Sequence, residues 1–107
     1  MGSTKKEQYT RIQLDYAGYT KALGHPARIS IVEYLNHYPR GKCREFVRLT
    51  KLSRSTISQH LNELINAGVV FERYDDWSND HYYFLNPRAR DLFIEIAQIF
   101  CNCQPMT

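Results

Sequence analysis

The 107-residue chain has no apolar run approaching the roughly 20 residues of a membrane-spanning helix, so no membrane partner is expected. Its first residues, MGSTKKEQYTR, lack the apolar core of a secretory signal. Lys6 spoils a myristoylation motif, and Cys103 lies one residue too early for a prenylation box. A cytoplasmic location is the expectation. Glycine is scarce, at five residues, and none builds a phosphate-cradling loop. His25, His37, His60 and His81 are dispersed, and no nucleophile has an evident base nearby in sequence, so an enzyme is not expected. Low-complexity runs and internal repeats are absent too. What remains is one domain spanning residues 1–107, with 1–4 and 104–107 as flexible tails.

Charge of one sign is scarce where the other is concentrated. The net charge is only +3, but between Arg40 and His60 six cations (Arg40, Lys42, Arg44, Arg48, Lys51 and Arg54) face a single anion, Glu45. That stretch carries +5, and the remainder of the chain sums to −2. A basic patch on a near-neutral chain is the footprint of a phosphate-binding surface; the alternative is a solvated charged face.

Periodicity orders the elements. Tyr9, Ile12, Tyr16, Tyr19 and Leu23 recur at three- and four-residue steps, predicting an amphipathic helix over about Lys5 to Leu23. Gly24-His25-Pro26 breaks it, and Pro26 suits the first turn of a second helix with Ile29, Val32 and Leu35 inward. A short third helix, about Arg44 to Leu49, is predicted to bury Phe46, Val47 and Leu49. After a turn at Thr50-Lys51-Leu52, Ser53 caps a fourth helix that runs to Ala67. Its Ile57, Leu61, Leu64 and Ile65 form one stripe, while Arg54, Ser55, Thr56, Ser58, Gln59 and Asn62 collect opposite. Past Gly68 the period changes to two. Val69–Tyr74 and His81–Leu85 read as a β-hairpin with an Asp-rich tip. Asn86-Pro87 opens a last helix with a broad stripe of Leu92, Phe93, Ile96, Ile99, Phe100 and Cys103.

These elements make a mainly α fold with a small hairpin (α+β), a winged helix-turn-helix with a flanking helix at each end. The last stripe is wider than a monomer of this size needs. Tyr9, Ile12, Tyr16 and Tyr19 with Leu92, Ile96, Ile99, Phe100 and Cys103 are therefore the expected homodimer interface; completion of the monomer core is the alternative.

With the elements placed, the sequence resembles the ArsR/SmtB family of dimeric winged-helix repressors. Lys21-Ala22-Leu23-Gly24-His25-Pro26-Ala27-Arg28-Ile29 is similar to the family's KALGDPTRL, and Leu52–Leu61 to its LSQSTVSHHL. Asn66-Ala67-Gly68-Val69-Val70 and Tyr82-Tyr83 continue the agreement, which covers about Tyr16 to Phe100. The resemblance implies a homodimer on a palindromic double-stranded operator, with the 53–67 helix in the major groove and release by an effector that the sequence does not identify. It places Arg54, Ser55, Thr56, Ser58, Gln59 and His60 at DNA-facing positions, although His60 is read equally well as packing or as bonding a phosphate. Arg54 stands where Gln is common, and Arg suits guanine where Gln suits adenine. Lys42, Arg44, Arg48, Lys51 and, on the hairpin, Arg73 are candidates for phosphate contacts.

The chain departs from the family in two ways. Asp75, Asp76 and Asp80 make an acidic wing tip that phosphate would repel. The family's metal ligands are also missing: its Cys-x-Cys pair falls on Lys42 and Arg44, flanking Cys43, and no histidine joins Asp91 and Glu95 on the last helix. No metal or other cofactor is expected. Cys43, Cys101 and Cys103 are candidates for a thiol sensor of oxidants or soft metals, as some relatives are; the alternative is small apolar or incidental side chains. A winged helix used for protein contact, without specific DNA binding, is the competing function.

Overall fold

The computed structural model describes residues 8–101. Among the described residues, five helices and one hairpin follow in the expected order: α1 (Arg11–Ala22), α2 (Pro26–His37), α3 (Cys43–Thr50), α4 (Arg54–Asn66), β1 (Val70–Asp75), β2 (Asp80–Leu85) and α5 (Pro87–Cys101). The expected tails at 1–4 and 104–107, and Cys103, lie outside the described residues.

Local chemistry sets the helix starts. Thr10 opens α1 through a capping box: its hydroxyl accepts from the Gln13 amide, and the Gln13 side chain accepts from the Thr10 amide, each at 3.0 Å. The helix thus starts at Arg11, and the expected start near Lys5 lies outside the described residues. His25 caps α2 ahead of Pro26, its Nδ1 accepting from the Ala27 amide at 3.1 Å. The Glu45 carboxylate accepts from the Lys42 amide at 2.6 Å, holding the first turn of α3. Ser53 caps α4 by accepting from the Thr56 amide at 3.2 Å. Asn86 caps α5 by accepting from the Arg88 amide, and its own amide group donates to Gly68 at 2.8 Å. One side chain thus ties the turn after α4 to the start of α5. At Gly68 the backbone is left-handed (φ 79°), which releases the chain from α4 into β1.

The core sits where α2, α3, α4 and the root of the hairpin meet. Ile31, Leu35, Phe46, Ile57, Leu61, Leu64, Val69 and Val70 are fully buried. On α4, Ile57, Leu61 and Leu64 face this core as expected, with Ile65 half-buried. The phase of α2 differs from the expectation. From Pro26, four-residue steps carry Ala27, Ile31 and Leu35 inward, leaving Ile29 exposed and Val32 half-buried. Leu49 is likewise exposed, because the eight-residue α3 turns only one face, Cys43 and Phe46, fully to the core.

The hairpin is antiparallel, pairing Val70 with Leu85 at its root and Asp75 with Asp80 at its end, so residues 76–79 form the tip. It is not free-standing. Gly41 and Tyr83 exchange backbone hydrogen bonds of 2.9 and 2.8 Å, so the loop before α3 extends the hairpin as a third short edge. No helix among the described residues is long and apolar enough to cross a membrane.

Candidate nucleic-acid interface

With Ile57, Leu61 and Leu64 locked into the core, the opposite face of α4 is left to solvent. Arg54, Ser55, Ser58, Gln59 and Asn62 are exposed and Thr56 is half-buried. Ser53 also orders the first turn laterally: its hydroxyl lies 3.2 Å from that of Ser55 and donates to Thr56 at 2.9 Å. α3 packs against α4 across a tight turn in which Lys51 takes a left-handed conformation (φ 63°). Arg44, Arg48 and Lys51 are exposed beside the α4 face, and Lys42 is partly covered.

His60 falls elsewhere. It is 8% exposed, with its ring against His25 and its Nδ1 accepting from Arg28 Nε at 3.1 Å. Of the two roles left open by the sequence, packing is the one this placement matches. Arg28 also donates to the Ala22 carbonyl at 3.1 Å, so one guanidinium joins the end of α1, the start of α2 and the middle of α4. Burial first, then the neighbouring His25 and Arg28, hold the His60 pKa below its ordinary value. Its neutral form accepts Arg28, and a proton there would oppose that cation.

The wing meets the basic patch directly. Asp80 Oδ2 lies 3.3 Å from Lys42 Nζ and 3.9 Å from Arg44 Nη1. Lys42 foremost, helped by the His81 amide and Arg44, holds the Asp80 carboxyl below the usual carboxylate range. A small polar cavity of about 110 Å³ at this junction is lined by Lys42, Arg44, Arg54, Ser58, Asp80 and Cys43. Nearer the root of the hairpin, Arg40 covers the Tyr82 ring at 4.8 Å and Arg73 the Phe84 ring at 5.6 Å, both still solvent-exposed. Burial foremost, with the Glu72 carboxylate, pushes the Tyr83 phenol up to about 12. At the tip Asp75 is engaged within the turn, accepting from the Trp77 amide at 3.1 Å and the Ser78 hydroxyl at 3.0 Å, while Asp76 is exposed. Trp77 itself stands 98% exposed at the end of the wing.

α1 and α5 pack together through the Tyr19 and Phe93 rings (5.8 Å between centroids) and a 2.8 Å hydrogen bond from Tyr16 to Glu95. Of the residues expected at a dimer interface, Tyr9, Ile12, Ile99 and Phe100 are exposed; Tyr16, Tyr19, Leu92 and Ile96 are half-buried. Tyr19 also packs on the monomer's own core. An apolar groove of about 400 Å³ between α2 and α5, with Ile29 and Ile94 on its walls, continues this surface. The sequence pattern placed Ile29 inward on α2 and left Ile94 off the α5 stripe, so it marked neither as an exposed apolar group. Both described cysteines are free thiols, Cys43 buried and Cys101 exposed.

A capped, polar-faced helix behind a basic helix and a tight turn, with a hairpin at its flank, defines the winged helix-turn-helix class of regulator. A family model described as bacterial regulatory protein, arsR family, matches residues 25–71, from the cap of α2 into β1. The chain is 28% identical over 85 residues to the HTH-type transcriptional regulator YgaV of Escherichia coli K12, covering 79% of this chain and 85% of that protein. It is 29% identical over 87 residues to the transcriptional repressor PagR of Bacillus anthracis, covering 81% and 85%. The crystal structure of PagR shares the fold at TM-score 0.65 (26% identity, 78% of this chain and 94% of that one). So does the transcriptional repressor BigR from Xylella fastidiosa, at TM-score 0.62 (25% identity, 83% and 87%). Over residues 25–71 the chain is thus similar to the arsR family of bacterial regulatory proteins, and over about four-fifths of its length to transcriptional regulators.

Proposed function

We propose that this regulator is a cytoplasmic, sequence-specific repressor that binds a palindromic double-stranded operator as a homodimer. The observation that carries this reading is the solvent side of α4, where Arg54, Ser55, Ser58 and Gln59 stand exposed while Ile57, Leu61 and Leu64 are buried. A helix held rigidly by one face and studded with short donors and acceptors on the other fits a major groove. Arg54 supplies the bidentate guanine contact, while Ser55, Thr56, Ser58 and Gln59 make adaptable base or phosphate contacts. Arg44, Arg48 and Lys51 anchor the backbone, with Lys42 and Arg73 flanking them. The exposed apolar groups of α1 and α5, Ile12, Ile99 and Phe100 among them, pair across a two-fold axis. That arrangement sets two α4 helices about 34 Å apart, one turn of duplex.

The test is a fluorescence-anisotropy titration of the reduced protein against DNA from upstream of its own gene, with scrambled duplex as control. Operator binding tighter by ~10³-fold or more at physiological salt supports the reading. If no such gap appears, random duplexes are put through selection; failure to enrich a palindrome there refutes DNA reading and leaves the protein-contact role.

A further inference from the structure

Lys42 and Arg44 stand at the start of α3, where a backbone phosphate beside α4 would be held, yet both already face a carboxylate. Asp80 reaches them from β2 at 3.3 and 3.9 Å and lies in one small cavity with Arg54 and Ser58 of α4. Its position is not accidental to a floppy tip. The Gly41–Tyr83 backbone pair fixes β2 against the loop before α3, and the Asp75–Asp80 pair fixes the end of the hairpin. The His81 amide donates to Asp80 Oδ1 at 2.8 Å, leaving Oδ2 aimed at the two cations. Also nearby are Arg54, Glu45 on the Lys42 amide at 2.6 Å, Asp75 across the hairpin, and Glu72, whose Oε2 lies 3.2 Å from His81 Nδ1. A carboxylate oxygen there makes the same charge-assisted contacts as a phosphodiester oxygen.

Given the DNA-binding role proposed above, we propose that Asp80 is a tethered competitor of DNA phosphate: it occupies Lys42 and Arg44 in the free protein, and duplex must displace it. The competition is with the phosphate backbone, so Asp80 lowers affinity for every duplex alike and leaves discrimination to α4. It also offsets part of the basic patch, so fewer cations are free to release counterions on binding.

The test compares wild type with Asp80→Asn and Asp80→Ala, titrating labelled operator and scrambled duplex at 50 and 200 mM salt. Each freed phosphate contact steepens the dependence of log K on log salt by about 0.9. One or two freed contacts therefore multiply the affinity lost between those salt concentrations by about 3- to 12-fold relative to wild type. Both variants are expected to bind operator and scrambled duplex more tightly at 50 mM, by the same factor. Asn keeps the side chain's shape, and matching melting curves show that each variant folds. Weaker binding to operator alone would make Asp80 a positioning residue for the wing and overturn the proposal. So would an unchanged salt dependence. If wild type shows no preference for any duplex, even after selection, the DNA-binding role fails first and the proposal with it.

Discussion

Replacing Gly41 with alanine tests the junction on which the wing depends. A Cβ at this position would lie 2.8 Å from Phe46 Cζ and 2.9 Å from Tyr34 Cε1. Carbon pairs sit comfortably at about 3.5–4.0 Å, so the rings would have to retreat by roughly 0.7 Å or more. Neither has room. Phe46 is fully buried, with Tyr34 edge-on at 5.5 Å and Tyr83 at 6.3 Å between ring centroids. Overpacking of this kind costs about 1–3 kcal/mol. For a domain of this size each kcal/mol lowers the midpoint by about 4–8 °C, giving an expected loss of about 4–24 °C. The assay is thermal unfolding followed by far-UV circular dichroism at fixed protein concentration, since the midpoint of the proposed dimer depends on concentration. Gly18→Ala is the control: nothing lies within 4 Å of its Cβ, and it sits inside α1, where alanine stabilises by about 0.5–1 kcal/mol. A Gly41→Ala protein melting within a degree or two of wild type would refute the reasoning. It would mean that the Phe46 and Tyr34 rings yield without loss.

Three further outcomes are expected. Arg54→Ala should weaken operator binding by about 1–3 kcal/mol with little change on scrambled duplex, whereas Arg48→Ala should weaken both; anisotropy titrations separate the two patterns. Ile99→Glu and Phe100→Glu place charge on side chains 59% and 79% exposed in the monomer, so folding should survive while light scattering after gel filtration shows monomers. The His60 pKa lies below its ordinary 6.5 in the folded state, so below that pH the unfolded chain takes up a proton that the native chain resists. Stability should therefore fall as pH drops through about 6.5, and His60→Asn, which can still accept from Arg28 but does not titrate, should remove that portion of the slope. Equal pH dependence of melting in the two proteins would count against this role.

Helix count, order and the hairpin were legible because each rests on local physics. Pro26, Ser53, Gly68 and Asn86-Pro87 mark ends, and the change from helical to alternating periodicity after Gly68 marks the wing. The α4 stripe was legible for the same reason, since a 13-residue helix samples its periodicity more than three times. α2 shows where this stops. Ile29 and Ile31 are equally apolar, and only the packing of α3 and α4 decides which of them is inside.

His60 and Asp80 mark the same limit in the candidate site. On a helical wheel His60 adjoins the polar face, and the sequence offers nothing to say that Arg28, 32 residues earlier, will meet it. Asp80 reads as part of an acidic tip until the Gly41–Tyr83 pairing brings it onto Lys42 and Arg44. By itself the sequence determined the elements, the surplus of positive charge between Arg40 and His60, and the face of α4 that stays wet, because caps, periodicity and composition act over a few residues. Tertiary structure alone decided which cations are already engaged, which histidine is buried and which apolar groups remain uncovered. Those depend on residues far apart in the chain meeting at ångström distances, and no local pattern encodes that.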